Sequence, residues 1–433
     1  MKNSKRVGLS LSGGGFRATI YHLGTLKKLK ELDILDRIDV ISTNSGGSIT
    51  GASYGLYGQY FDDFEEILKK GVKSSIISSV LKSARILVPL LIISIWIISI
   101  VFLLFTSLAW LSLILFICFW IIFLFFQYQI FPISKLNEKA YNKLFFFKKS
   151  LSDFSVDSEI VINATNLETG TLFTFSKKKM GDSSYRYMKY GKEPIQFEPE
   201  SFPIARAVAA STCVPFVFSP VLIHSSFYCN PDDTKRAKPR LVDGGIYDNQ
   251  GIHKITQEKS SYKCDYVIVS DAGNIIPFKH SYRNVLALLI RTSDVFMERI
   301  KDFQITQNLY HNTKLDKREI GYQSLGWDLD KCIPGFIDAL KNNQIVDSAI
   351  KAHDISKEDI DNGNWKKIED DLIKKINYYK IVEKANTKEQ LKIARSVKTN
   401  LVPLRDEEID ALINHAALIT EIQVKLYCPS LLN

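Results

Sequence analysis

The sequence predicts an α/β fold in which helices cover a mostly parallel β-sheet. Two stretches near the N-terminus carry this prediction. The first is the apolar run Val7–Leu11, which enters three consecutive glycines and then a helical pattern. The second is the apolar run 38–41, which enters the serine turn at residues 43–47 and another helix-like segment. Two successive strand–turn–helix units place their strands side by side and parallel.

The serine turn has the chemistry of a nucleophile elbow. It reads Thr43-Asn44-Ser45-Gly46-Gly47. A serine hydroxyl becomes a useful nucleophile when a tight strand-to-helix turn exposes it beside a base, and small neighbours let the backbone bend that sharply. The usual pattern is G-x-S-x-G. A threonine replaces its first glycine here, which weakens the motif when it is read alone.

The three consecutive glycines supply the second half of a predicted hydrolase site. Gly13, Gly14 and Gly15 precede a helix, so their backbone N–H groups are unshielded. Such donors hold the negative oxygen of a tetrahedral intermediate. Together with Gly46 they form the predicted oxyanion hole. Arg17, one turn into the helix, is expected to fix the loop or the anion.

Three other interpretations of this stretch compete. Residues 13–18 fit the dinucleotide fingerprint G-x-G-x-x-A, but that fingerprint needs an acidic residue at the end of the next strand, where residues 43–45 carry none. A phosphate-binding loop needs Gly-Lys-Ser/Thr, and the first lysine after the glycines is Lys27. The third interpretation is two ordinary glycine turns. The residues favour the hydrolase over these three.

A carboxylate follows another apolar run. Leu241 and Val242 lead into Asp243, which precedes Gly244 and Gly245. Glycines at this point allow a second backbone or a substrate to approach the carboxylate closely. An aspartate beside a serine accepts its proton directly, without a histidine. A common Asp-Gly turn is the plain alternative.

Two further residues compete for the role of the base. Asp271 also ends an apolar run and is the chief rival of Asp243. His22 invites a catalytic triad, but it lies within the first predicted helix between Tyr21 and Leu23. That position favours a packed structural histidine over a catalytic one.

The remaining histidines and cysteines give no sign of a metal site. The other histidines lack metal-ligand spacing, and the six cysteines are scattered without a C-x-x-C pair. This argues against a zinc site or a disulfide framework and suits a reducing compartment. We therefore expect no metal and no cofactor.

Residues 86–126 contain no charged side chain. One straight helix over this length would run to about 60 Å, roughly twice the ~30 Å hydrocarbon core of a bilayer. The sequence therefore predicts a two-pass hairpin, with helices at 86–105 and 108–126 and a turn near Thr106. Basic residues flank both outer ends, which places the catalytic part in the cytoplasm at the cell membrane. A buried hydrophobic hairpin in a soluble protein is the alternative.

The overall charge of the chain bears on which acidic partner it binds. The net charge of +9 is modest for 433 residues. It is not clustered with aromatic residues in the way that nucleic-acid readout requires. A membrane surface is therefore the expected acidic partner, with no role for nucleic acid.

Three motifs in this order resemble the patatin-like phospholipase family. They are the glycine-rich oxyanion motif at 13–17, the serine motif around Ser45 and the Asp-Gly-Gly motif at Asp243. The segments 163–167 and 210–215 also resemble the family's connecting segments. Three motifs in the right order are far more specific than any one of them.

The resemblance implies a three-layer fold, a Ser45–Asp243 dyad, hydrolysis of the acyl esters of lipids, and no metal. In this interpretation Gly47, Gly244 and Gly245 support the two reacting groups. The hairpin is then an insertion relative to soluble members, and the chain looks like a bacterial-type, membrane-anchored member. Membrane lipids are the expected substrate.

The predicted organisation has four segments. Residues 5–80 and 133–300 form the two parts of the catalytic domain, 86–126 form the hairpin, and 301–433 form a helical region packed on the catalytic domain. Two other functions stay open at this point. One is a general esterase or thioesterase, because a dyad does not report the leaving group. The other is a catalytically silent membrane scaffold or sensor.

Overall fold

The centre of the computed structural model is a nine-stranded mixed sheet. The structure describes residues 5–186, 193–215, 218–274, 284–313 and 317–432. The strands are β1 (Val7–Leu11), β2 (Val40–Thr43), β3 (Glu159–Asn166), β4 (Thr171–Phe175), β5 (Met180–Asp182), β6 (Val221–Leu222), β7 (Arg240–Asp243), β8 (Tyr266–Asp271) and β9 (Glu319–Ser324).

The strand order is β5-β4-β3-β2-β1-β8-β9, and β7 pairs with both β3 and β6. Strands β1, β2, β3, β8 and β9 pair in parallel, whereas β4 to β7 pair antiparallel. The mostly parallel sheet predicted from the first two strand–turn–helix units is confirmed. A turn at Gly170 folds β4 back on β3 as an antiparallel hairpin.

Helices surround this sheet. They are α1 (Gly15–Glu31), α2 (Gly46–Tyr57), α3 (Phe61–Val72), α4 (Ile76–Leu81), α5 (Ala84–Leu103), α6 (Ala109–Ile130), α7 (Ile133–Tyr141), α8 (Ser183–Arg186), α9 (Ile204–Ser211), α10 (Gly245–Asp248), α11 (His253–Thr256), α12 (Val285–Ile305), α13 (Cys332–Lys341), α14 (Asp347–Ala352), α15 (Lys357–Asp361), α16 (Trp365–Lys375), α17 (Tyr378–Val382), α18 (Lys388–Ser396) and α19 (Asp406–Tyr427).

Alternate residues of the central strands face two separate cores. Leu9 and Ile41 belong to the larger core, together with α1, α2 and α19. Val40 and Val269 belong to a smaller core on the other face, which includes Ile255 of α11. Side chains of a strand alternate between faces, so the sheet lies between two covering layers. The predicted three-layer fold is confirmed.

The C-terminal region is less purely helical than predicted. Helix α19 packs against α1, but residues 319–324 form strand β9 beside β8. This segment has an overlooked period of two, with Ile320 and Tyr322 on one face. Its polar residues are buried and have hydrogen-bond partners. Glu319 accepts a hydrogen bond from Ser430 at 2.6 Å, and Gln323 accepts one from Thr420 at 2.6 Å.

The apolar stretch forms two helices, α5 and α6, joined by a turn at residues 104–108. Thr106 stabilises the turn, since its hydroxyl donates to the Leu103 carbonyl at 2.9 Å. Both helices are long and apolar enough to cross a membrane, and only 6% of each apolar window is buried in the protein. The hairpin therefore leaves its apolar surface outside the core.

The lysine- and phenylalanine-rich segment after the hairpin belongs mainly to the core. This segment covers residues 142–149. Phe145 and Phe146 are fully buried, whereas Phe147 is 56% exposed. The first two side chains therefore pack in the core and the third faces outward.

Candidate active site

Ser45 lies in a sharp turn between β2 and α2. Its backbone has φ 46° and ψ −118°, a left-handed conformation that costs a non-glycine residue about 1–3 kcal/mol. The Ser45 N–H donates to the Ser211 hydroxyl at 2.9 Å, which helps to hold the strained turn. The side chain is 8% exposed. This is the geometry of a nucleophile elbow.

Thr43 departs from the usual glycine of the motif, and Gly51 accommodates it. A Cβ on Gly51 would collide with the Thr43 methyl group. The Thr43 hydroxyl is satisfied by Ser48, whose hydroxyl lies 3.0 Å away, and donates to the Val161 carbonyl at 3.2 Å. The missing side chain at Gly51, on α2, therefore leaves the room that a glycine at position 43 would otherwise provide.

The serine turn packs backbone against backbone with the three consecutive glycines at 13–15, which we call the glycine loop. A Cβ on Gly46 would collide with the Gly15 carbonyl oxygen, and one on Gly47 with the Leu11 carbonyl oxygen. The Gly47 N–H donates to the Ser12 carbonyl at 3.1 Å. Only glycine permits approaches this close, so both positions define how near α2 lies to the loop.

The glycine loop has free and occupied donors. The Gly13 N–H donates to the Asn249 carbonyl at 2.8 Å, so it is unavailable to an oxyanion. This differs from the predicted four-glycine hole. The N–H groups of Gly14, Gly15 and Gly46 have no acceptor among the described residues. Gly14 and Gly15 have φ values of 142° and 60°, which turn the backbone into the start of α1.

Strand β3 brings the two predicted reacting groups together. Its Ile162 pairs with Thr43, and its Ala164 pairs with Asp243. Strands β2 and β7 share one edge of β3, because β4 occupies the other. Two residues span about 6.6 Å along a strand. Asp243 therefore lies next to the serine turn, close enough for the Ser45 hydroxyl to lower the pKa of its carboxyl group.

The surroundings of Asp243 disfavour its charge. The side chain is 7% exposed, and no described lysine or arginine forms an ion pair with it. Burial raises the pKa of Asp243 to about 6, against hydrogen bonds from the Gly245 N–H and Ser45 that lower it. The Gly245 bond is 2.7 Å long. A carboxylate of this kind is a stronger proton acceptor than one in water.

The two glycines after Asp243 allow close packing, as predicted. A Cβ on Gly244 would collide with the Asn44 amide oxygen and lie 2.6 Å from the Asn163 carbonyl oxygen. A Cβ on Gly245 would lie 3.0 Å from the Asp243 carboxylate.

Asp271 lies at a different strand end and has other partners. It is 1% exposed, and its carboxylate is 3.3 Å from the Lys301 ammonium. It also accepts hydrogen bonds from the Tyr322 hydroxyl and the Gly273 N–H, both at 2.8 Å. Burial raises the pKa of Asp271, but Lys301 and these hydrogen bonds outweigh it and leave the pKa below its usual value.

His22 is a packed histidine, as the sequence favoured. Its Nδ1 lies 2.8 Å from the Ser270 hydroxyl and its Nε2 lies 2.9 Å from the Ser12 carbonyl oxygen. Burial lowers the pKa of His22 to about 4, so the ring is neutral at pH 7. Both ring nitrogens are occupied by residues other than Ser45.

The far end of the chain clasps the glycine loop. We call residues 397–400 the C-terminal strap. The Phe16 N–H donates to the Asn400 carbonyl at 2.9 Å, and the Arg17 guanidinium donates to the Val397 carbonyl at 3.1 Å. A Cβ on Gly15 would collide with the Asn400 carbonyl. Of the two roles expected for Arg17, the one seen is to fix the loop.

Sequence reasoning gave two site residues no role. Ser211 accepts the Ser45 N–H, lies 2.8 Å from the Ser48 hydroxyl, and accepts the Gly244 N–H through its carbonyl at 3.3 Å. Asn163 donates from its amide to the Ser42 hydroxyl at 3.0 Å and to the carbonyl that ends β2 at 3.1 Å. The sequence offered one indication of their importance: they lie in the segments 163–167 and 210–215, which resemble connecting segments of the patatin-like phospholipase family.

The described part of the chain holds no cluster of three or more histidine, cysteine, aspartate or glutamate side chains that could bind a metal ion.

Known proteins provide an independent comparison. The chain is similar to VipD from Legionella pneumophila at 13% identity, over 98% of this chain and 86% of VipD, with a TM-score of 0.32. It is similar to human GIVD cytosolic phospholipase A2 at 14% identity, over 62% of this chain and 43% of that one, with a TM-score of 0.37. No curated protein sequence matches the chain significantly.

A family model gives the assignment. The model described as "Patatin-like phospholipase" matches residues 9–254, which is more than half of the chain. The matched range includes the glycine loop, Ser45 and Asp243. The chain therefore belongs to the patatin-like phospholipase family of lipid acyl hydrolases.

Proposed function

We propose that the chain is a membrane-anchored serine hydrolase that cleaves fatty-acyl ester bonds of phospholipids, with Ser45 as nucleophile and Asp243 as base. The placement of these two side chains beside each other carries the proposal: strand β3 pairs with both segments, and the Ser45 hydroxyl is close enough to lower the pKa of the Asp243 carboxyl group. A hydroxyl beside a buried carboxylate without a cationic partner has a ready acceptor for its proton.

The first half-reaction forms an acyl-enzyme. The Ser45 oxygen attacks the ester carbonyl while Asp243 takes its proton. The N–H groups of Gly14, Gly15 and Gly46 stabilise the negative carbonyl oxygen. Gly13 is left out of this set because its N–H donates to Asn249. The protonated Asp243 then gives its proton to the departing alcohol.

The second half-reaction releases the fatty acid. Asp243, ionised again, takes a proton from water, and the resulting hydroxide attacks the acyl-enzyme. The same N–H groups stabilise the second oxyanion. Asp243 then returns the proton to Ser45 as the acyl C–O bond breaks. Loss of one oxyanion donor typically costs about 10²–10³-fold in rate.

The anchor in this proposal is the hairpin of α5 and α6. Its apolar windows are 6% buried, which is unlike the core helix of a soluble protein. The hairpin also separates the two reacting groups in sequence, since Ser45 precedes it and Asp243 follows it. Proton transfer between them requires both to be on one side of the membrane, and two crossings satisfy that requirement.

The chemistry is tested by labelling with a fluorophosphonate probe. We expect the full chain to be labelled at Ser45 and Ser45→Ala to lose all labelling. Ser53→Ala is the matched control, because Ser53 is buried on the helix that follows Ser45 and its hydroxyl has no described hydrogen-bond partner. Labelling that persists in Ser45→Ala would show that another residue is the nucleophile, whereas a wild type that neither labels nor releases fatty acid would favour the silent scaffold.

The topology is tested by the accessibility of cysteines in intact cells. Cys229 is exposed on the catalytic domain and serves as a natural reporter, whereas Thr106→Cys reports on the hairpin turn. We expect an impermeant thiol reagent to modify Thr106→Cys and to leave Cys229 unmodified until the membrane is permeabilised. Equal accessibility of both positions would contradict the two-pass topology.

A further inference from the structure

A large cavity lies where the hairpin joins the catalytic domain. We call it the basal cavity. The domain-side ends of α5 and α6 line one side of it, and residues 219–225 line the other. Its volume of about 1220 Å³ exceeds the ~300–1,000 Å³ usual for small-molecule sites. The space suits a ligand larger than most soluble metabolites.

The hairpin side of the basal cavity is apolar. Val88, Ile92 and Trp96 of α5 face Ile122 and Phe123 of α6 across it. With the hairpin in a bilayer, these residues lie at the end of each helix nearest the catalytic domain. This part of the cavity thus offers a hydrocarbon surface at the depth of the adjoining lipid leaflet.

The domain side of the cavity is cationic. Arg85, Lys135 and Arg206 line it together with a single carboxylate, Glu138. The Arg206 Nε lies 3.4 Å from the Glu138 carboxylate. Arg85 and Lys135 form no ion pair with any residue in the described ranges. Three cations and one carboxylate leave two positive charges without a counter-charge.

We propose that the basal cavity binds one anionic phospholipid. Its acyl chains would lie on the walls formed by α5 and α6, and its headgroup on Arg85, Lys135 and Arg206. The apolar-to-cationic order of the cavity matches the order of tail and headgroup in such a lipid. A soluble phosphate would leave the apolar part empty, and the cationic group of a zwitterionic lipid would meet like charges. This proposal rests on the membrane insertion of the hairpin and not on the chemistry at Ser45.

The bound lipid is distinct from the substrate under attack. Arg206 and Ser211 both lie on α9, five residues apart, and therefore about 140° apart around the helix axis. Ser211 contacts the serine turn, whereas Arg206 faces the cavity. The two sites thus lie on different sides of α9.

The cavity nevertheless adjoins the backbone that holds the base. Ser134, which lines the cavity, donates to the Ser219 carbonyl and lies 3.7 Å from the Cys213 sulfur. The Cys213 carbonyl in turn accepts the Asp243 N–H at 2.8 Å. A lipid in the cavity packs against this segment, so the site is placed to stabilise the strand end that carries Asp243.

The test counts retained lipids on the full chain with Ser45→Ala, which prevents turnover of the ligand. The protein is reconstituted in phosphatidylcholine nanodiscs with a minor share of phosphatidylglycerol, extracted in mild detergent, and weighed by native mass spectrometry. We expect one phosphatidylglycerol per chain, enriched about tenfold or more over its share in the bilayer, which corresponds to roughly 1.4 kcal/mol of preference.

Matched charge variants locate the binding site. Arg85→Gln/Lys135→Gln changes two exposed side chains of the cavity and is expected to abolish the enrichment. Lys82→Gln/Lys139→Gln removes the same charge from the same flanks outside the cavity, and should preserve it. Equal retention of both lipids, or equal loss in both double variants, would overturn the proposal. Failure of the chain to enter nanodiscs would contradict the anchor as well, whereas inactive wild type with lipid retained would contradict the chemistry alone.

Discussion

Two aspartates end strands of the same sheet, and their surroundings differ. Asp243 and Asp271 are both almost fully buried. Asp243 has the Ser45 hydroxyl and the Gly245 N–H as partners, and its pKa is raised. Asp271 has Lys301 as a counter-charge, and its pKa is lowered. Burial alone therefore does not distinguish a base from a structural carboxylate; the presence of a cation does.

The difference has a physical meaning. A buried carboxylate without a counter-charge stays reactive towards protons, at a cost in stability. A buried carboxylate with an ammonium group beside it is held as an ion, which makes it a poor proton acceptor near neutral pH. Each of the following experiments tests whether Asp243 and Asp271 differ in this way.

The largest expected effect is on turnover. Asp243→Asn keeps the shape of the side chain and removes the proton acceptor, so kcat should fall by about 10²–10⁴-fold in a fatty-acid release assay. Asp271→Asn, assayed per folded molecule, should lose less than tenfold. The reverse ranking would exchange the roles of the two aspartates.

The next effect is on stability. Asp271→Asn leaves Lys301, whose side chain is 17% exposed, with Glu298 at 3.3 Å as its remaining counter-charge, and should lower the free energy of unfolding by about 1–3 kcal/mol. Denaturant titration of the full chain measures this. Adding Lys301→Met should recover part of the loss. A double variant no more stable than Asp271→Asn would mean that the ion pair is not the cause.

The third effect is on the pH dependence. The base must be ionised to accept a proton, and the pKa of Asp243 is raised to about 6. We therefore expect kcat/KM to be level above that pH and to fall about tenfold per pH unit below it. Asp271→Asn should show the same profile. A level profile down to pH 5 would show that Asp243 is not the group that titrates.

The smallest effect is again on stability, with the opposite sign. Because burial raises the pKa of Asp243, the folded chain binds more protons than the unfolded chain between its ordinary pKa and about pH 6. Stability falls as pH rises through this window and stays lower above it. Asp243→Asn cannot ionise, so it should gain about 1–3 kcal/mol at pH 7. Thermal unfolding at pH 7 should show the gain, and at pH 4 the gain should be much smaller.

The sequence was informative wherever a local pattern decides the structure. The run Val7–Leu11 is a strand with the predicted bounds, and the serine turn at 43–47 joins a strand to a helix as predicted. In both cases the apolar pattern and the glycines act within a few residues, so the neighbours in the sequence are the relevant environment.

The sequence was uninformative where distant residues decide. Nothing near Gly13 indicates that Asn249 occupies its N–H, and nothing near Thr43 indicates that Gly51 makes room for it. Strand β9 was overlooked because its polar residues are satisfied by α1 and α19, far away in sequence. These features depend on tertiary contacts, which a local pattern does not encode.

The C-terminal strap has a consequence for the order of biosynthesis. The glycine loop is made several hundred residues before Val397 and Asn400, which clasp it. A growing chain that already carries Ser45, the hairpin and Asp243 still lacks these contacts to the glycine loop. The loop therefore reaches its clasped form only after the strap has been synthesised, however early its own residues were made.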